Sequence, residues 1–182
     1  MKLNNLLVDA NPAFREISLN CQQFLEESHG LPLVKWFTKS YPDVHRVKVR
    51  KKKNKGEFDT IFNETFYEQY PSLRQRSIIV NQTQVKDKEP YFVFPSDGFK
   101  FIYSPTITDS KIQYGTTFDD VTKSLSKETG KEIFKDILTY GYTDDSLKKA
   151  IVESAEIIVY NIPFFYVVRC NIDYNNLLEY LQ

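Results

Sequence analysis

The densest concentration of chemically useful side chains lies between residues 46 and 55, where Arg46, Lys48, Arg50, Lys51, Lys52, Lys53 and Lys55 place seven positive charges. Such a run offers charge and donors to phosphate oxygens, the requirement for holding nucleic acid or a dinucleotide. The same run also suits a solvated loop at a strand end, where lysines discourage edge pairing. A second set is dispersed: Arg46 or Arg50 on one strand-like run, Ser77 at the start of another and Glu156 at the start of a third. Other chemistries find little footing. The two histidines, His29 and His45, sit in no nucleophile-elbow pattern, so a Ser/His/Asp triad is unsupported. The carboxylates Asp97, Asp109, Asp119, Asp120, Asp144 and Asp145 stand where turns and helix caps use them, which argues against a two-metal nuclease. There is no glycine-rich phosphate loop and no His/Cys set at metal-ligand spacing, so no metal is expected.

Elements must bring such residues together, and composition says a core exists to do it. With 182 residues, 41 % hydrophobic and 26 % charged, the chain is expected to form one domain that buries roughly 70 % of its unfolded surface. Aromatic residues make up 15 % against one methionine and six glycines, which points to a core packed by Phe and Tyr. Net charge is zero, so any attraction to a polyanion must be local. Cys21 and Cys170 are far apart and read as reduced thiols of a cytoplasmic protein; the N-terminal apolar run is too short for a signal peptide, and no stretch reaches membrane-spanning length.

In chain order, Asn11-Pro12 followed by Phe14, Ile17, Cys21 and Phe24 predicts a helix up to Ser28-His29-Gly30, with His29 a helix-end residue. Pro32 followed by Leu33, Val34, Trp36 and Phe37 predicts a second, shorter helix. From Val44 to Arg50 the alternation predicts a strand with Arg46, Lys48 and Arg50 on one face and His45, Val47 and Val49 on the other. A helix over 57–70 carries Phe58, Ile61, Phe62, Phe66 and Tyr70 on one stripe and ends at Pro71. Strands follow over 73–80, 91–94 and 99–103, the last two expected to form a hairpin through Pro95-Ser96-Asp97-Gly98. The connection over 104–117 is long and polar, the kind that is more often functional or mobile than neutral. Helices are predicted over 117–125, 133–138 and 144–151, strands over 156–160 and 164–169, and a closing helix over 173–181. The order predicts an α+β fold: a helical segment over 1–42 packed on a 43–182 core with one mixed or antiparallel sheet of about six strands.

The succession Arg46–Arg50, Leu73–Val80, Tyr91–Pro95, Phe99–Pro105 and Ala155–Val159 resembles a group of uncharacterised tailed-bacteriophage proteins, and its order resembles, distantly, the arginine–serine–glutamate class of ADP-ribosyltransferases. The second resemblance implies an ADP-ribosyltransferase-like fold with NAD as cofactor. Arg50 or Arg46 would hold the pyrophosphate through charge-assisted, often bidentate bonds, and Ser77 would orient the catalytic carboxylate. Glu156 would bond the nicotinamide ribose and stabilise the oxocarbenium-like charge, while Tyr91 or Phe92 would stack on the nicotinamide.

Two classes of function follow. One is a phage-encoded ADP-ribosyltransferase-like protein that binds NAD and modifies a host macromolecule in the host cytoplasm. The other is a non-catalytic phage protein, a host-takeover or counter-defence factor, that uses the basic 46–55 segment or the aromatic 91–103 stretch to bind a host protein or nucleic acid.

Overall fold

The computed structural model describes residues 12–51, 57–66, 70, 73, 76–80, 86–106, 128–129, 132, 135–136, 139, 141–153 and 156–181. Helix α1 (Pro12–Asn20) starts on its proline, and α2 (Gln22–Glu27) follows after one residue. The single helix expected here is broken at Cys21, whose φ of −129° and ψ of 28° leave the helical region. The spacing that predicted it still holds, since Phe14, Ile17, Cys21 and Phe24 are all buried. His29 lies just past α2 with a left-handed φ of 51°, as a helix-end residue does.

The second expected helix is instead a strand, β1 (Val34–Phe37). Its proline signal is overridden because Val, Trp and Phe fit a pleated surface and the backbone finds a ladder on β4 (Glu89–Pro95). Strand β2 (Val44–Lys48) forms where the alternation placed it, and helix α3 (Glu57–Thr65) occupies the first part of the expected 57–70 helix. Then come β3 (Ser77–Val80), β4, β5 (Lys100–Ser104), helix α4 (Leu147–Val152), β6 (Glu156–Tyr160), β7 (Phe164–Arg169) and helix α5 (Tyr174–Leu181). Ser146 caps α4, its Oγ accepting from the Lys149 N–H at 3.2 Å. The helix expected over 117–125 lies outside the described residues, as do most of the 104–117 connection and of the 133–138 helix. No helix among the described residues is long and apolar enough to cross a membrane.

The fold is α+β, but its strands form two antiparallel sheets rather than one. The first has the order β1-β4-β7-β2 and the second β3-β6-β5. Strands β4 and β5 are therefore not the hairpin that the Pro95–Gly98 turn predicted. The turn reverses the chain, with Gly98 at φ 81°, yet delivers β5 to the other sheet, where it pairs with β6. The β6–β7 connection makes the same crossing in the opposite sense, since β7 pairs with β4 and β2.

Register decides which side chains share a layer. On the first sheet Phe92, Phe94, Tyr166 and Val168 face α1, α2 and α5: Phe24 meets Phe94 edge-on at 5.6 Å and Tyr174 lies 4.7 Å from Phe92. The opposite side carries Val93, Phe165 and Val167, which share one buried cluster with Ile78, Val80, Ile157 and Val159 of the second sheet. The remaining side of the second sheet, with Ile102 and Ile158, joins Ile61, Phe62 and Phe66 of the α3 region in a second cluster. The sheets thus hold the centre, and helices cover the outer faces.

Candidate anion-binding cleft

Where β2 ends, where β3 begins and where β6 turns into β7, the surface folds into a cleft of about 350 Å³ lined by Lys48, Val49, Lys51, Arg76, Asn161, Ile162 and Pro163. Three separate stretches of chain meet here for local reasons. The β6–β7 turn puts Asn161 at a φ of 60°, a left-handed conformation that asparagine tolerates. Its amide Nδ2 donates to the Gly98 carbonyl at 2.9 Å, fastening this turn to the β4–β5 turn. The Pro163 carbonyl accepts from the Val49 N–H at 2.9 Å, so the chain leaving β2 stays against the turn. Ile162, buried, forms the apolar floor.

The charge in this cleft is one-sided. Lys48, Lys51 and Arg76 are exposed, and among the described residues no carboxylate lines the cleft and none of these three cations forms an ion pair. Like charges gathered around a concave surface focus a positive potential that an anion neutralises. Arg46, two residues upstream of Lys48 on the same strand face, extends the row and rests on a ring, its Cζ 3.8 Å from the Phe164 centroid. Arg50 adds a further exposed cation beside Lys51. The strand face foreseen for Arg46 and Lys48 is the observed one: they pair with Tyr166 and Phe164, while His45 and Val47 pair with Val167 and Phe165. The described lining residues supply donors and positive charge, which can hold an anion.

The dispersed arginine–serine–glutamate set is not assembled. Ser77 pairs with Tyr160, whereas Glu156 pairs with Ser104, four residues away along β6. At a strand rise of about 3.3 Å per residue the two are separated by about 13 Å, beyond a hydrogen bond even through one water. The cause is topological: β3 and β6 run antiparallel, so the first residue of one lies beside the last residue of the other. Arg46 is on the other sheet, with Arg50 just past the end of the same strand. Glu156 is 1 % exposed and its Oε1 accepts from the Tyr142 hydroxyl at 2.9 Å, while Ser77 is buried.

Tyr91 and Phe92 are also interior. The Tyr91 hydroxyl accepts from the Tyr41 N–H at 2.8 Å and lies 2.8 Å from Glu89 Oε2, and Arg169 is placed over its ring with Cζ 5.6 Å from the centroid. Arg169 Nη2 donates to the Tyr41 carbonyl at 2.8 Å and pairs with Glu89 at 3.6 Å, so this network holds β4, β7 and the β1–β2 connection together. The bond from Tyr91, then that of Ser40, holds the Glu89 carboxyl below its ordinary value. Phe92 is filled in against Tyr174. Neither ring presents a free face for a nicotinamide.

The cleft residues that the sequence did not single out are Arg76 and Asn161. Each had a signal: Arg76 stands beside Ser77 at a strand start, and Asn161 opens the Asn-Ile-Pro connection. No protein-family model, curated protein or solved structure matches this chain.

Proposed function

We propose that the protein is a non-catalytic binding module for a nucleic-acid strand, which it grips by the phosphate backbone. The observation that carries this reading is the cleft formed by Lys48, Lys51 and Arg76, with no carboxylate among its described lining residues and with Arg46 on β2 and Arg50 just past its end continuing the positive row. A volume of about 350 Å³ takes one phosphate with part of its sugar, and cations on either side serve the neighbouring phosphates. A single strand suits this narrow, strand-edge path better than a duplex. The Phe164 ring that could stack a base is already covered by Arg46. Contacts are then mainly to the backbone, and binding is indifferent to sequence.

An NAD-dependent transferase with Glu156 as its catalytic carboxylate is not the reading we favour, because that carboxylate is buried and remote from Ser77. The test is fluorescence anisotropy with a labelled single-stranded DNA oligonucleotide, comparing the wild-type chain with the triple variant Lys48→Ala/Lys51→Ala/Arg76→Ala. All three side chains are exposed, so the variant keeps its fold, which circular dichroism checks. The reading requires binding by the wild type and clear weakening in the variant; equal affinity in the two would refute it.

A further inference from the structure

Asn161 is the member of the cationic cleft whose chemistry a bare phosphate does not explain. Lys48, Lys51 and Arg76 bring side-chain donors, and Val49, Ile162 and Pro163 bring apolar side chains. The Asn161 carboxamide therefore holds the one side-chain acceptor among the described lining residues. Its orientation follows from its partner. The Gly98 carbonyl can only accept, so the limb that meets it at 2.9 Å is the Nδ2 donor, and Oδ1 is turned the other way. Gly98 is not part of the described lining, Asn161 is exposed, and its Oδ1 accepts no hydrogen bond among the described residues.

The backbone keeps this acceptor beside the cations. Arg76 and Asn161 each stand one residue beyond the Ser77–Tyr160 pair, on neighbouring antiparallel strands. From the other sheet, the Val49 N–H donates to the Pro163 carbonyl at 2.9 Å, which holds Lys48 and Lys51 at the same turn. A group bound at the cations thus has its covalent neighbour at Asn161.

We infer that the strand held in this cleft is RNA, with Asn161 Oδ1 accepting from a ribose 2′-hydroxyl. This rests on the phosphate-gripping function proposed above and narrows its ligand. Phosphodiester oxygens do not donate, and a deoxyribose inside a strand carries no hydroxyl, so a DNA backbone leaves Oδ1 without a partner next to anionic oxygens. The ribose 2′-hydroxyl sits on the sugar bonded to the phosphate, it donates, and it is the group by which a protein separates RNA from DNA. Bases carry N–H donors as well, but a cleft of about 350 Å³ takes one phosphate with part of its sugar, which puts the sugar within reach of Asn161.

The experiment is fluorescence anisotropy at one fixed salt concentration, with labelled uridine oligonucleotides of equal length that carry ribose, 2′-deoxyribose or 2′-fluoro sugars. The fluoro sugar keeps the ribose pucker but cannot donate, so it separates a hydrogen bond from sugar shape. The wild-type chain should bind the ribose strand about three- to tenfold more tightly than either of the others, the worth of one hydrogen bond. Asn161→Gly lacks the carboxamide and suits the φ of 60°. It should bring the ribose-to-deoxyribose affinity ratio to about one, whatever it does to the affinity for all strands, with thermal unfolding as the check on its fold. Equal wild-type affinity for the three strands, or a 2′-fluoro strand that binds as tightly as the ribose strand, would overturn the RNA assignment even if the variant does not fold. A ribose preference that persists in Asn161→Gly would overturn the role of Asn161. In each of these cases the phosphate grip stands, because strands still bind; binding of no strand at all would remove the grip and this inference together.

Discussion

Glu156 illustrates how one residue type serves two incompatible purposes. It is the first residue of β6, where a substrate-facing carboxylate was expected, and it is buried with its Oε1 accepting from the Tyr142 hydroxyl. Removing a donor from a buried carboxylate costs more than the bond's net worth, because the charge loses solvation it cannot regain. Tyr142→Phe is therefore expected to lower unfolding stability by about 1–3 kcal/mol, read as a fall in urea midpoint with an unchanged slope. A buried phenol, Tyr103, contributes to the alkaline sensitivity of the fold. Burial first, then its bond to Asp145 Oδ1 at 2.6 Å, pushes Tyr103 up to about 12. Its folded value lies above the unfolded value of about 10, so the stability it contributes is complete below about pH 10 and is lost as pH rises toward 12. The Tyr103→Phe variant should show a shallower loss of stability across that window in alkaline denaturation followed by circular dichroism. Asp145 mirrors this on the acid side: the Tyr103 bond, followed by Lys149, holds its carboxyl below the ordinary value. That contribution is present above about pH 4 and fades as pH falls further.

At the scale of elements, the turns matter more than their strands. The β4–β5 and β6–β7 turns each carry the chain between sheets, and Asn161 ties one to the other. Gly98 sits at φ 81°, and a Cβ placed there would meet nothing within 4 Å. Gly98→Ala is thus a test of backbone conformation alone, expected to cost about 1–2 kcal/mol by thermal or urea unfolding. It should also weaken nucleic-acid binding at the cleft lined by Asn161, since the Gly98 carbonyl holds that side chain.

Most strands were legible because their signal is local. The alternation of Val44–Lys48 and the β-branched runs of β6 and β7 state their conformation within a few residues. Partnership was not legible. Residues 91–95 of β4 are buried on both faces and Pro95-Ser-Asp-Gly98 reads as a hairpin, but neither property says which sheet receives the next strand. β1 was missed for the opposite reason: Pro32 and the following apolar residues carried a helix-start signal that only the ladder on β4 outweighs.

For the whole molecule, zero net charge conceals a divided surface. The row of Arg46, Lys48, Arg50, Lys51 and Arg76 is concentrated on one side of the β6–β7 turn, and a second cleft, which holds Glu27 and Asp144, lies elsewhere. The basic run was visible in the sequence as a candidate phosphate patch, but the cleft was not, because Arg76 and Asn161 reach it only through the packing of two sheets. The arginine–serine–glutamate set comes apart at this same scale: its order is present in the sequence, yet an antiparallel ladder separates Ser77 from Glu156.

The most direct measurement is the salt dependence of single-stranded DNA binding by the intact chain, followed by anisotropy over a range of sodium chloride concentrations. Five backbone contacts from Arg46, Lys48, Arg50, Lys51 and Arg76 predict a slope of log affinity against log salt of about −3.5, and the Lys48→Ala/Lys51→Ala/Arg76→Ala variant should be shallower by about 2. A wild-type slope near zero, or a variant slope equal to that of the wild type, would contradict the account.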